Sequence, residues 1–228
     1  MVTMLFLALN FSAACKPPDT EPSPTEDNVR IILPEPRYCS DVSVEEALLK
    51  RRSVRSYTDD ALTLQELAQL LWAAQGITDP SGKRTAPSAG ALYPLEVYVV
   101  VGGVENVAKG VYKYKPHQHE LARVLEGEQR EALARAALGQ QCVAHGTIDI
   151  VITAVYDRTT GKYGDRGIRY VHMEAGHAAQ NVYLQAVAMN LGMVVIGAFY
   201  EDQVKEVLNL PGNEEPLYIM PVGKKIRD

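Results

Sequence analysis

Three arginines stand close together in "LLKRRSVRSYTDD", residues 48–60: Arg51, Arg52 and Arg55, with Ser53 among them. The chain as a whole carries a formal net charge of -5 at pH 7, so this cluster of positive charge is local. Guanidinium groups are planar and bind phosphate oxygens through paired hydrogen bonds. The alternative is a solvated helix end, where cations meet the negative pole of the helix dipole. The stretch therefore offers either guanidinium groups and a serine hydroxyl for a ligand or a solvated helix end.

Two further stretches have a composition that suits a ligand site. "APSAGALYP", residues 86–94, is a loop of small residues between two prolines, whose backbone N–H groups are open to a flat ligand. "VVIGAF", residues 194–199, is a strand-like run in which Gly197 lets the backbone approach another group closely.

Several other chemistries are excluded by spacing. "SGKRT" departs from the phosphate loop GxxxxGK[ST] in its glycine spacing and carries Arg84 where Ser or Thr must hold magnesium. Ser88 lacks the GxSxG context of a nucleophile, and no GxGxxG follows a strand. The sequence therefore favours neither a hydrolase nor a Rossmann dinucleotide site.

No metal site is expected. His172 and His177 are five residues apart, and one helix face needs a spacing of three or four. Cys15, Cys39 and Cys142 are far apart and form no CxxC, so they indicate neither zinc nor a disulfide framework.

Composition suggests an ordinary globular protein with one sizeable core. The chain has 228 residues, of which 46% are hydrophobic and 22% charged. Its acidic balance argues against a general nucleic-acid binder, and no nucleic-acid partner is expected.

The first 28 residues differ from the rest. Residues 1–15 are a short apolar run that ends in small residues and Cys15, and residues 16–28 are a proline-rich tether. Together they resemble a bacterial lipoprotein signal in which Cys15 carries the lipid, although no Lys or Arg precedes the apolar run and Ser12 stands where leucine is usual. An extracytoplasmic, membrane-anchored location is expected on this reading. The alternatives are a miscalled start or an unstructured extension, with a cytoplasmic location.

Residues 29–228 are expected to form one α+β domain, since helices interleave with about four or five strands without regular βαβ alternation. Capping boxes predict helix starts at Ser43 and at Thr63, the first helix running to about Arg52. Buried strands are predicted for "LEVYVVVGG" and "TIDIVITAVY", and another strand for "MVVIGAF". The longest helix contains Gly176 beside several alanines, and close approach of another helix would justify that glycine.

Residues 30–228 resemble the FMN-dependent nitroreductases, and most of all their branch of SagB-type dehydrogenases, which includes azoline oxidases. The resemblance rests on "IILPEP", "RRSVRSY", "LLWAAQGI", "PSAGALYPLEVYVVV", "EAGHAAQNVYLQA" and "IGAF", in that order. It implies a three-layer sandwich with a central, mostly antiparallel sheet, helices on both faces, and a long central helix at a homodimer interface where FMN binds.

The resemblance also implies roles for the arginine stretch. Arg51, Arg52 and Ser53 would hold the phosphate and ribityl chain of FMN. Arg55 would place a cation beside the N1–C2 edge of the flavin, where reduction adds negative charge.

The remaining site residues follow from the same resemblance. Gly197, after Ile196, would point its N–H at flavin N5, and Tyr163 would be the candidate general base, the alternative being a packing tyrosine. The loop that reaches the flavin from the partner subunit would contain Pro87, Ser88, Ala89 and Ala91. The further phosphate-binding cations would be Lys224 and Lys225.

The expected activity is hydride transfer through flavin N5 between a donor such as NAD(P)H and a small organic acceptor of the nitroaromatic or quinone type. Three alternatives stay open: a SagB-type dehydrogenase that oxidises a heterocycle with oxygen as acceptor, a flavin-binding protein without turnover, and a purely structural lipoprotein.

Overall fold

The computed structural model describes residues 29–226. Seven strands form one antiparallel sheet in the order β1-β4-β3-β2-β5-β7-β6. The strands are β1 (Arg30–Ile32), β2 (Leu95–Val101), β3 (Gly110–Lys115), β4 (Glu120–Glu126), β5 (Ile148–Ala154), β6 (Leu191–Met193) and β7 (Glu215–Lys224).

The helices are α1 (Val44–Lys50), α2 (Leu64–Gln75), α3 (Arg130–Ala136), α4 (Gln141–Ala144), α5 (Asp157–Tyr163), α6 (Arg166–Ala188) and α7 (Glu201–Leu208), with a short 3-10 turn at Ala89–Ala91. The three-layer α+β sandwich is confirmed.

Alternating side chains of the central strands build two cores, because successive residues of a strand point to opposite faces. On one face Val97 and Val99 of β2 pack with α2 and α6. On the other face Tyr98 and Val100 pack with α3, α4 and α7. Strand β5 is buried along its whole length, as expected for a central strand covered on both sides.

Local signals explain where two helices begin and end. The capping box at α2 is confirmed in both directions between Thr63 and Glu66, and Gly76 is its C-cap residue. At α1 only half of the predicted box forms: Ser43 accepts the Glu46 N–H, while the Glu46 carboxylate pairs with Lys50 at 2.5 Å.

Three predictions about elements were wrong. The sheet has seven strands rather than four or five. Helix α1 ends at Lys50 rather than Arg52, because the backbone of Arg51 leaves the helical region. The strand predicted at residues 193–199 is ordered as a strand only to Met193, and beyond it only Ile196 bridges to Ile219, so the chain leaves the sheet edge before Gly197.

Candidate functional site

The arginine stretch begins at the C-terminus of α1. The guanidinium of Arg52 donates to the carbonyl oxygens of Leu49 at 2.9 Å and Arg51 at 2.7 Å, so this side chain does cap the helix end. Within residues 29–226, no carboxylate lies within ion-pair distance of Arg51, Arg52 or Arg55. Three positive charges at one helix end are therefore left without a counter-ion by the described chain.

Tyr183, on α6, connects this stretch to the region of Gly197. Its hydroxyl lies 3.0 Å from the Ser53 hydroxyl and accepts the backbone N–H of Val195 at 3.1 Å. The guanidinium carbon of Arg51 stands 5.1 Å from the centre of the tyrosine ring. Sequence reasoning missed Tyr183, because a tyrosine in an apolar helix predicts only packing.

The backbone at Gly197 is open. Ile196 is buried and bridged to β7, whereas Gly197 is exposed, and a Cβ there would find only the Tyr218 ring, at 3.8 Å. The structure therefore leaves space beside the Gly197 backbone, on the segment that Tyr183 ties to Ser53.

Strand β6 and the end of β7 hold the arginine stretch in place. The Val54 N–H donates to the Met193 carbonyl at 2.8 Å, and a Cβ on Gly192 would come within 2.7 Å of the Val54 side chain. Lys225 bridges to Tyr57 beside Gly192.

Lys224 stands beside the same stretch but is already paired. Its ammonium group contacts the Glu66 carboxylate at the start of α2, and this contact helps to lower the pKa of Glu66 against the opposing effect of burial. A phosphate-binding role for Lys224 would require competition with Glu66.

Arg55 faces a different environment from Arg51. Its charge acts on the half-buried phenol of Tyr57 and on the Cys142 thiol. Burial raises the pKa of that thiol, and Arg55 partly offsets the rise. Arg55 is itself exposed, so its guanidinium remains accessible to a ligand.

The loop of residues 86–94 forms a tight turn at Ala89–Ala91. Its hydrogen bonds run within the loop: the Ala91 N–H donates to the Ser88 carbonyl at 3.0 Å, and the Tyr93 N–H donates to the Ser88 hydroxyl at 2.9 Å. Pro87 and Ala91 are exposed, and Ala89 is half-buried.

Tyr163 meets this loop. A Cβ on Gly90 would lie 2.7 Å from the Tyr163 hydroxyl and 3.0 Å from Nζ of Lys162. The structure thus brings the candidate base to the candidate flavin loop, on the last turn of α5. This short helix was not predicted.

Glu174 of α6 lies beneath the same loop and was also missed. It is 2% exposed, and its Oε1 has no hydrogen-bond partner among the described residues. Burial raises its pKa to about 7, partly offset by the Ser88 hydroxyl and by Arg84. A carboxylate among the buried residues Val171, Ala175 and Ala178 of an otherwise apolar helix face was the signal that could have found it.

The site residues thus form two groups on α6. Ser53 and Arg51 meet α6 at Tyr183, and the 86–94 loop meets it at Glu174. Nine residues are about two and a half helical turns, so these two contacts lie on opposite sides of α6 and about 14 Å apart along its axis.

The described part of the chain holds no cluster of metal-ligating side chains and no helix long and apolar enough to cross a membrane. A surface cavity of about 840 Å³ lies elsewhere, between residues 37–42, α2 and the end of α6, and none of the predicted site residues lines it.

Comparison with known proteins shows the family of the chain. The sequence profile of the Nitroreductase family matches residues 48–224. A protein of Methanocaldococcus jannaschii named as a candidate nitroreductase is 51% identical over 200 residues, which cover 88% of this chain and 98% of that one.

Two other relatives are more distant. The microcin B17-processing protein McbC of Escherichia coli is 31% identical over 65% of this chain, and the match spans 57% of McbC. The FMN reductase (NADPH) of Bacillus subtilis is 26% identical over 78% of this chain and 64% of its own length.

Among solved structures, a candidate nitroreductase from Ralstonia eutropha superposes with a TM-score of 0.75 at 30% identity, covering 87% of this chain and 90% of that one. The fold and these matches agree, and the chain belongs to the nitroreductase family of flavin oxidoreductases.

Proposed function

We propose that this protein is a homodimeric, FMN-dependent oxidoreductase that transfers hydride between a reduced donor such as NAD(P)H and a small organic acceptor of the nitroaromatic or quinone type. The two half-reactions share one site. FMN, when bound, supplies the hydride chemistry at N5.

The observation that carries this proposal is the junction at Tyr183. One phenol holds the hydroxyl of Ser53 and the backbone just before Gly197, with Arg51 against its ring. Tyr183 thereby holds the cations that would bind a phosphate in a fixed position relative to the Gly197 backbone. The open N–H of that backbone would face the reactive end of a flat ring.

In this site Arg51 and Arg52 would bind the phosphate. Arg52 would exchange its bonds to two helix carbonyls for bonds to phosphate oxygens, which is favourable because both partners are then charged and the guanidinium can bind the phosphate with two parallel hydrogen bonds. Arg55 would face the edge of the ring that gains negative charge.

A homodimer is proposed because the two groups of one chain lie on opposite sides of α6, about 14 Å apart along its axis. The arginine stretch and the 86–94 loop contact opposite sides of α6, so a loop from a second chain would complete each site. Gly176 of α6 is exposed and a Cβ there would meet nothing within 4 Å, so the close helix approach expected at this glycine is left to a partner.

The test is flavin binding by the arginine stretch. Purified protein should show an oxidised-flavin spectrum and release FMN on denaturation. Losing one charge-assisted hydrogen bond costs about 1.5–3 kcal/mol of binding free energy. Arg51→Ala should therefore weaken FMN binding roughly 10- to 150-fold, as measured by fluorescence titration. Arg135→Ala, on the surface of α3, is the matched control. Unchanged FMN affinity in Arg51→Ala would contradict the proposal, and a bare helix-end role would show only a small stability change.

A second candidate is favoured by Tyr163 and by the likeness to McbC: oxidation of a heterocyclic substrate with oxygen as acceptor, Tyr163 serving as general base. Tyr163→Phe should then abolish substrate oxidation while NAD(P)H-driven quinone reduction persists. A flavin-loaded protein with neither activity would instead favour a binding role without turnover.

Lipid anchoring through Cys15 is proposed from the sequence alone, since Cys15 lies outside the described residues. Intact mass of the native protein should show cleavage before Cys15 and added acyl chains. A mature protein that retains Met1 would rule this out.

A further inference from the structure

Helix α5 contacts the 86–94 loop at two places. At the C-terminal end of the helix, a Cβ on Gly90 would lie 2.7 Å from the Tyr163 hydroxyl. Near its N-terminal end, Nη1 of Arg158 donates to the Tyr93 carbonyl at 3.1 Å. Five residues of helix span about 7.5 Å, so α5 holds the loop both at its tight turn and where it leads into β2.

The backbone at Tyr93 needs support from its surroundings. Its φ is 47°, a left-handed value that side chains disfavour, and it precedes Pro94, where an extended backbone is preferred. Its N–H donates to the Ser88 hydroxyl at 2.9 Å, within the loop. Arg84 packs on its ring, 4.6 Å from the ring centre, and Arg158 holds its carbonyl. The backbone of Tyr93 is thus tied to α5 through Arg158.

Arg158 is itself held by the sheet. Its Nη2 donates to the Glu96 carboxylate of β2 at 2.5 Å. The other oxygen of that carboxylate contacts the Lys113 ammonium of β3 at 3.2 Å, and Lys113 also pairs with Glu214 at 2.6 Å. One guanidinium therefore connects the carbonyl of Tyr93 to an ion network that spans two strands.

This network is largely shielded from solvent. The side chains of Glu96 and Lys113 are each 16% exposed, and that of Glu214 is 4% exposed. Two carboxylates share one ammonium, so Arg158 supplies the second positive charge that balances them. Burial opposes the ionisation of Glu96, but Lys113 and then Arg158 outweigh it and lower the pKa of this carboxyl. The network thus gives Arg158 a charged and fixed anchor.

We propose that Arg158 is a positioning residue of the flavin site: its guanidinium bridges the Tyr93 carbonyl and the Glu96 carboxylate, and this bridge fixes the 86–94 loop relative to the sheet and to α5. The proposal rests on the proposed function for the consequence that the loop contacts flavin. The alternative is that Arg158 forms only an exposed ion pair with Glu96, and such pairs contribute little.

The first test measures the loop without flavin. In Arg158→Ala the Tyr93 and Ala91 amides, both bonded to Ser88, should exchange with deuterium about 3- to 10-fold faster than in the wild type. This is the ratio expected when one partly exposed hydrogen bond is lost. Amides of β5, in the interior of the sheet, should keep their wild-type rates, which would show that the loosening is local.

Two further variants separate the bridge from the charge. Arg158→Lys keeps a cation beside Glu96 but replaces two directed nitrogens with one ammonium, so the loop should loosen as in Arg158→Ala. Glu96→Gln weakens the anchor and should loosen the loop, and adding it to Arg158→Ala should change Tyr93 exchange no further. Arg123→Lys, at an arginine paired with Glu126 of β4, is the matched control and should leave the loop unchanged.

The second test measures flavin binding. Arg158→Ala and Arg158→Lys should each bind FMN about 3- to 10-fold more weakly by fluorescence titration. A merely structural role would lower the melting temperature and leave the FMN affinity of the folded protein unchanged. The loss should add to that of Arg51→Ala, because the two arginines act through separate contacts with the flavin.

Three outcomes would overturn the proposal: wild-type exchange of Tyr93 in Arg158→Ala, wild-type exchange of Tyr93 in Arg158→Lys, or unchanged FMN affinity in both variants. If Arg158→Ala fails to fold, Arg158→Lys still decides it. A wild type that binds no FMN refutes the proposed function, and the exchange of Tyr93 then still tests the bridge made by Arg158.

Discussion

Asp149 is a buried carboxyl with no direct partner. It lies on β5, fully shielded from solvent, and neither side-chain oxygen has a hydrogen-bond partner among residues 29–226. Arg130 is near enough to act on its charge, but the Arg130 guanidinium is held by Glu128 at 2.6 Å. Burial therefore raises the pKa of Asp149 well above its usual value.

This makes the protein less stable as the pH rises. Below the unfolded-state pKa, near 4, both states hold the proton. Above it the unfolded chain loses the proton while the folded chain keeps it, so the free energy of unfolding falls until the folded-state pKa is passed.

Asp149→Asn should remove this effect. We expect the variant to gain stability over the wild type between pH 4 and pH 7, by at most about 1.4 kcal/mol for each pH unit, because Asn cannot release a proton in the unfolded chain as Asp149 does. Urea unfolding at the two pH values measures the gain, and Asp59→Asn, at an exposed loop position, is the control. Equal pH dependence in the wild type and Asp149→Asn would show that Asp149 is ionised in the fold.

Arg55 should act on the flavin potential rather than on flavin affinity. Arg55→Met keeps the length of the side chain and removes the charge that favours a reduced, anionic flavin. The midpoint potential should fall by roughly 20–60 mV, which corresponds to about 1–3 kcal/mol for a two-electron couple. Dye equilibration of flavin-loaded protein measures the midpoint potential. An unchanged potential would contradict the proposed position of Arg55 beside the flavin ring.

At the scale of elements, the arginine stretch depends on β6. Val54 is hydrogen-bonded to Met193, and Gly192 leaves room for the Val54 side chain. Strand β6 therefore fixes the position of the backbone that carries Arg51 and Ser53 after the end of α1.

Gly192→Ala should displace the stretch without touching an arginine. Its Cβ would lie 2.7 Å from Val54 Cγ1, a contact that requires one of the two segments to move. We expect a loss of about 1–3 kcal/mol in the free energy of unfolding and weaker FMN binding. Gly212→Ala is the control, since a Cβ there meets nothing within 4 Å. Native FMN affinity in Gly192→Ala would show that β6 does not position the site.

Elements with strong local signals could be predicted from the sequence. The Thr63–Glu66 capping box and the apolar runs of β2 and β5 carry such signals, and all three were predicted correctly. Strand β4 and helix α5 were missed. The α5 sequence "DRTTGKY" has poor helix propensity, and its helix is stabilised by packing against α6, which no local pattern reveals.

Only those residues of the candidate site that the family resemblance covers could be predicted from the sequence. Tyr183 and Glu174 depend on which faces of α6 meet other segments, and packing decides that. The conformation of residues 194–199 was predicted wrongly for a similar reason, because an apolar, β-branched run predicts a strand even where the chain leaves the sheet.

At the scale of the whole molecule, shared sites predict complementation between defective subunits. Arg51→Ala damages the phosphate side of a site, and Ala89→Glu places a carboxylate in the loop that would come from the other chain. In a mixed dimer one site then carries both defects and the other carries none.

Equal amounts of the two variants, unfolded together and refolded, should therefore regain FMN binding of wild-type affinity, which neither variant shows alone. With random pairing, mixed dimers form about half of the population, and each holds one intact site. Titration of the mixture measures this against each variant refolded by itself. No recovery in a mixture shown by mass spectrometry to contain mixed dimers would mean that each site lies within one chain.

The position of Glu174 and Tyr183 on opposite sides of α6 has a consequence for how two sites communicate. In the proposed dimer each α6 borders one site through Tyr183 and the other through Glu174. Occupancy of the first site would restrain the helix that also lines the second site. The dimer is then expected to bind its two flavins cooperatively, with the second bound more tightly than the first, because part of the ordering has already taken place.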